Sequence, residues 1–122
     1  MGLFSNTVKD SQTKTSFDID TISNIFIDTE EVGHVFENND FVYLFTNKRL
    51  IIIDDNVEDK NLGLLSVPYR NIKKFSKANL GFNDLELEIY IWLLNEEKPI
   101  KLLLGKKVDT NYVYRILSEH SL

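Results

Sequence analysis

The feature that most limits what this chain can become is a change in hydrophobic period. Between Val32 and Leu104 the apolar side chains alternate with polar ones or fill short runs, and turn-forming residues separate the runs. A period of two places successive side chains on opposite faces of an extended strand, so the pattern demands β-structure. Seven strands are expected: Val32 to Phe36, Phe41 to Thr46, Arg49 to Asp54, Leu62 to Val67, Ile72 to Lys77, Leu85 to Leu94, and Ile100 to Leu104. The separators are Asn38-Asn39-Asp40, Asn47-Lys48, Asp55-Asn56, Pro68, Gly81-Phe82-Asn83-Asp84, and Asn95 to Pro99, all rich in turn formers. Asn47-Lys48 suits a two-residue hairpin, because asparagine tolerates positive φ better than most residues.

On either side of this block the period is helical. Ile19, Ile22, Ile25 and Phe26 predict one short amphipathic helix within Phe17 to Thr29, with Asp18 and Asp20 where acids favour a helix start. After Gly105, Val108, Tyr112, Ile116 and His120 are spaced by four, with Val113 and Leu117 alongside. They predict a closing helix that Asp109 or Thr110 can cap. Residues 1–16 are polar apart from Leu3, Phe4 and Val8 and read as an arm. The expected division is an N-terminal arm with a short helix over residues 1–30 and one β domain over residues 31–122, without repeats or linkers.

Composition removes several function classes. The net charge is −5, from 14 basic and 19 acidic residues. Nucleic-acid binders draw most of their affinity from neutralising phosphates, so no nucleic-acid partner is expected. The same balance argues against anionic membranes and lipids. There is no cysteine, which rules out disulfides and thiolate metal sites. The start Met-Gly-Leu-Phe-Ser-Asn lacks the basic and apolar regions of a signal peptide. Asn6 stands where a myristoylation signal needs Ser or Thr, and no apolar run approaches the roughly 18 residues of a membrane span. A soluble, cytoplasmic protein is expected.

Catalytic inventory is equally thin. His34 falls in the first strand and His120 at the end of the last helix, and no nucleophile, phosphate-loop or metalloprotease motif occurs. Asp54, Asn56 and Glu58 alternate like the opening of a calcium loop, but Asp59 and Leu65 stand where that loop needs Gly and Glu. No catalytic, cofactor-binding or metal-binding residue is assigned, and no enzyme is expected.

Three ordered segments resemble the bacterial pleckstrin-homology-like (PH-like) domain family. Phe45-Thr46-Asn47-Lys48-Arg49-Leu50-Ile51, continuing to Asp54, is similar to its Phe-Thr-Asn-Lys-Arg-Leu hairpin. Ser66-Val67-Pro68-Tyr69-Arg70-Asn71-Ile72, with Phe75-Ser76, is similar to its Ile-Pro-Tyr-x-x-Ile-x-x-Phe-Ser segment. Asp84 to Trp92 resembles its strand ending in Glu-Leu-x-Ile-Trp. The resemblance implies a mainly β, seven-stranded antiparallel barrel or sandwich capped by a C-terminal helix. It also implies a tendency to form homo-oligomers, and no catalytic activity.

The strand Leu85 to Leu94 offers the main candidate site. Leu85, Leu87, Ile89, Ile91 and Leu93 share the face that must be interior, leaving Tyr90, Trp92 and Leu94 on the other with Asp84, Glu86 and Glu88. Outward aromatics are typical interface anchors, although the N-terminal helix of the same chain could also cover them. Phe41 to Phe45 and Leu50 to Ile53 are apolar on both faces and need cover on both sides. One short helix is too small for those strands and the aromatic face together. Arg70, Lys73, Lys74 and Lys77 form a candidate weak basic patch, with solvated strand edges as its blander reading. The first loop, Phe36 to Asp40, carries acid and no base. The function expected is a non-enzymatic interaction module that self-assembles into a homo-oligomer. The alternative is a recognition domain binding a lipid head group or peptide on the barrel rim.

Overall fold

The computed structural model describes residues 17–38, 40–54, 63–77, 87–105 and 108–122. The order is 3-10 helix η1 (Ile19–Ile25), strands β1 (Val32–Glu37), β2 (Phe41–Thr46), β3 (Arg49–Asp54) and β4 (Gly63–Pro68), and 3-10 turn η2 (Tyr69–Asn71). Strands β5 (Ile72–Lys77), β6 (Leu87–Leu93) and β7 (Ile100–Leu104) follow, then helix α1 (Thr110–Ser121). The proposed starts of the fourth and sixth strands, at Leu62 and at Leu85 and Glu86, lie outside the described residues, as do the Asp55-Asn56 and Gly81 to Asp84 turns. No helix among the described residues is long and apolar enough to cross a membrane.

The strands form two antiparallel sheets, in the orders β1-β2-β3-β4 and β5-β6-β7, and not a closed barrel. The chain divides into two compact units, the first ending at Ser66 and the second running from Val67 to Leu122.

In the first unit Val35, Leu44 and Ile51 are aligned across three strands, with Val42 beside Ile53. These residues are buried together with Ile19 and Ile22 of η1, and Phe17, Ile25 and Phe26 pack against them. The opposite face carries Phe36, Tyr43, Phe45, Leu50 and Ile52, which are also buried. Burial on both faces is why β2 and β3 read as continuous apolar runs. The short helix expected here is η1, a 3-10 helix interrupted at Ile22. Ile19, Ile22 and Ile25 are three residues apart, the 3-10 repeat, so tighter winding aligns them on one edge. Three β-branched isoleucines also lower α-helical preference.

The β2–β3 connection is a two-residue loop, but not for the reason expected. Asn95 is the one non-glycine residue with positive φ among those described, so Asn47 is not selected for its backbone. Its side chain acts instead: Oδ1 accepts from the Glu31 amide at 2.8 Å and Nδ2 donates to the Thr29 carbonyl at 3.0 Å. Thr46 Oγ1 accepts from the amides of Lys48 and Arg49, both at 3.0 Å, closing the turn from inside. The same hydroxyl donates to Glu30 Oε2 at 2.7 Å.

Glu30 is the centre of this hairpin. It is 2% exposed, and Arg49 grips both carboxylate oxygens: Nε donates to Oε2 and Nη2 to Oε1, each at 2.9 Å. Arg49 also donates to the Ile25 carbonyl and to Ser66 Oγ, both at 3.0 Å. One guanidinium thus ties the end of η1, the segment before β1, and β4 to the start of β3. The fork geometry suits arginine and no other side chain. Burial pushes the Glu30 carboxyl up, but hydrogen bonds from Arg49 and Thr46, with the Ile27 amide and the Arg49 charge, leave it below its ordinary value of 4.5.

In the second unit Asp109 caps α1, accepting from the amides of Asn111 at 3.0 Å and Tyr112 at 3.4 Å. The helix buries Val113, Ile116 and Leu117 and lies against β5, β6 and η2. Tyr112 is only half-buried, and the Arg115 guanidinium lies 6.0 Å from its ring centroid. Tyr114 meets Phe75 edge-on at 5.0 Å, and His120 stacks on Tyr69 at 4.4 Å.

This packing sets three expected outcomes. Arg49→Ala leaves a buried carboxylate unpaired and is expected to cost about 3–5 kcal/mol in chemical denaturation. A folded-state value below the unfolded one means the Glu30 contribution is complete above about pH 4.5 and is lost as pH falls through the depressed folded value. Stability titrations should therefore show an acid limb that flattens in Glu30→Gln. Ile116→Ala should cost about 2–5 kcal/mol, against less than about 0.5 kcal/mol for exposed Arg115→Ala. Equal melting temperatures for those two variants would contradict the packing of α1.

Candidate functional site

The register of the second sheet decides which side chains share a face. Phe75 pairs with Ile91, and Ile89 with Leu102, so these residues line the side where Tyr114 of α1 meets Phe75. The other side brings Lys74 opposite Trp92 and Ser76 opposite Tyr90. Lys101 is also opposite Tyr90, and Leu103 is opposite Glu88. Cross-strand neighbours at this spacing interact directly.

They do so as one chain of contacts. The Lys74 ammonium lies 4.8 Å from the Trp92 ring centroid, within cation–π range. Trp92 and Tyr90 are 6.1 Å apart and tilted by 37°. The Tyr90 hydroxyl donates to Glu88 Oε1 at 2.6 Å, and Lys101 Nζ approaches Glu88 Oε2 at 3.4 Å. That hydrogen bond raises the Tyr90 phenol above its ordinary value and holds the Glu88 carboxyl below its own, with Lys101 assisting. At neutral pH the face therefore presents a neutral phenol and an ionised carboxylate beside Lys101. The Lys101–Glu88 pair is exposed, so it orients more than it stabilises.

Tyr90 and Trp92 share the face opposite Ile89 and Ile91, and both are half-buried. Leu94 does not share their strand. It sits in the β6–β7 turn, 49% exposed, with its amide donating to the Asn71 carbonyl at 2.8 Å. Asn95 follows at φ 66°, a conformation asparagine accepts.

The four basic residues do not form one patch. Lys74 joins Trp92, whereas Lys77 donates to Asn111 Oδ1 of α1 at 2.6 Å, on the helix side. A register shift between Ile72 and Lys74 sets exposed Lys73 apart, and Arg70 is exposed on η2. Lys101 of the neighbouring strand joins Glu88 in the site. Only the β6–β7 register reveals it.

Among the described residues no group of three or more His, Cys, Asp or Glu side chains could hold a metal ion. His34 lies beside Phe36 at 6.4 Å and His120 against Tyr69, so both imidazoles are engaged with rings. In the first loop Asn38 Oδ1 accepts from the amides of Asp40 and Phe41 at 2.7 and 2.8 Å, which closes the turn.

Known proteins agree with this architecture. The chain is similar to the uncharacterised protein YjqA of Bacillus subtilis (strain 168), 32% identical over 92 residues covering 75% of this chain and 74% of that one. It is also similar to the uncharacterised protein YozO of that organism, 24% identical over 120 residues covering 98% and 97%. Among solved structures, a protein with a pleckstrin-homology domain from Shewanella loihica PV-4 superposes with a TM-score of 0.74 at 27% identity, covering 87% and 95%. A pleckstrin homology domain from Shewanella amazonensis SB2B gives 0.73 at 24% identity, covering 90% and 93%, a likeness of fold. Residues 2–121 match the bacterial PH domain family. With that match over nearly its whole length, this chain belongs to the bacterial PH domain family.

Proposed function

We propose that the protein is a non-enzymatic interaction module that assembles with copies of itself through the outer face of the three-stranded sheet. The observation that carries this reading is the half-buried Tyr90–Trp92 pair on the side of the sheet opposite Phe75, Ile91 and α1. The apolar side of η1, a possible cover for these rings, is used on the four-stranded sheet. Aromatic anchors ringed by pairable charge match the make-up of protein interfaces. Glu88 beside Lys101, with Lys74 over Trp92, also gives one face both signs of charge, which suits contact between identical surfaces.

Tyr90→Ala with Trp92→Ala should lower the particle mass measured by light scattering on a sizing column, with β-type circular dichroism retained. Loss of that circular dichroism would instead make the pair part of the fold. Trp92 is the chain's single tryptophan, so wild-type emission should shift to the red on dilution as the face becomes wet.

The alternative, a lipid head group on the rim, draws no support from the scattered basic residues. Vesicles containing phosphoinositide should not retain the protein at physiological salt. Salt-sensitive binding that disappears in Lys73→Ala with Lys74→Ala would favour the lipid reading.

A further inference from the structure

The cover on one face of the four-stranded sheet is a poor helix. η1 runs for seven residues as a 3-10 helix, longer than such helices usually persist, and its backbone is non-helical at Ile22. Ile19 and Ile22 are buried, whereas Asp18, Asp20, Thr21, Ser23 and Asn24 are exposed. What seats η1 is the burial of those two isoleucines, the packing of Phe17, Ile25 and Phe26, and a bond from Arg49 to the Ile25 carbonyl at 3.0 Å. Strands β2 and β3 beneath it are held by their own ladder. A weakly built segment over a well-paired sheet can open while the sheet stays folded. Opening would uncover Val35, Val42, Leu44, Ile51 and Ile53, with Arg49 at the end of that face.

We propose that η1 is a built-in occupant of a peptide-binding face, a strap displaced by a segment of another protein with β-branched apolar side chains three residues apart and an open carbonyl in its last turn. The chemistry of η1 selects that occupant. Apolar grooves read amphipathic segments by the spacing of their anchors, and here the anchors are Ile19, Ile22 and Ile25. The Ile25 carbonyl marks where Arg49 reads the end of the segment. Arg49 holds Glu30 through Nε and Nη2, and both bonds can persist through the exchange, so no buried charge loses its partner. Being tethered, η1 competes at a high effective concentration and keeps the face closed against weaker ligands. The face belongs to the first unit, and the proposal does not rest on the self-assembly reading.

The test uses the full chain, with a fluorescein-labelled synthetic peptide spanning Phe17 to Asp28 as the stand-in for the partner segment. In hydrogen exchange on the protein alone, the Thr21 and Phe26 amides, which bond within and at the end of η1, should exchange about tenfold or more faster than those of β2. In fluorescence anisotropy the peptide should bind Ile19→Asp/Ile22→Asp about tenfold or more tighter than wild type, because the strap no longer competes. The same peptide carrying Ile22→Asp should not bind. Circular dichroism checks the fold, and Ile19→Asp alone takes over if the double variant unfolds. Unfolding of both proteins would make η1 part of the cooperative sheet and overturn the proposal. So would η1 exchange as slow as that of β2, or peptide affinity that is equal or undetectable in wild type and variant. In the Tyr90→Ala/Trp92→Ala background, a mass that doubles with concentration only while Ile19 and Ile22 are intact makes η1 of a second copy the occupant, which overturns the choice of partner. Failure of the aromatic interface has a separate signature: the Tyr90→Ala/Trp92→Ala protein keeps its wild-type mass.

Discussion

The grip of Arg49 on Glu30 is the interaction on which the first unit depends. A carboxylate taken out of water is strongly unfavourable unless its charge and lone pairs are met, and here both oxygens are met by one guanidinium and a hydroxyl. The remaining donors of Arg49 reach the end of η1 and Ser66. The pair therefore fixes positions more than it adds stability, since buried ion pairs often do little better than apolar replacements. With η1 held, its isoleucines cover Val35, Leu44 and Ile51, and the four-stranded sheet can be apolar on both sides.

The same network explains the hairpin motif in physical terms. Thr46 closes the turn and holds the acid, Asn47 bridges to Thr29 and Glu31, and Arg49 closes on Glu30. Lys48 contributes a backbone amide. All three side chains are spent inside the molecule, so the part of the sequence most typical of the family builds the scaffold. The recognition surface proposed here lies on another strand, among residues such as Glu88 and Lys101.

Much of the fold was legible in the sequence. Strands β2, β3, β5 and β7 begin and end where their turn formers place them, because period-two patterning and local turn chemistry act over a few residues. The closing helix was legible for the same reason, and Asp109 is the one of its two candidate caps that serves. What escaped depends on contacts between distant residues. Glu30 looked like one acid among many, since its partner lies 19 positions away. The basic residues of β5 looked like a cluster because they are close in sequence, yet pleating and a register shift send Lys74 and Lys77 to different neighbours. For η1 the spacing of three was visible, and its meaning depended on the sheet beneath it.

The stacking of His120 on Tyr69 joins the first and last elements of the second unit. During synthesis the Arg49 contacts of the first unit can form once Ser66 has left the ribosome. The second unit has no such early stage. Its helix is its final element, so the contacts that this helix makes with β5 and β6 wait until residues 110–121 have emerged.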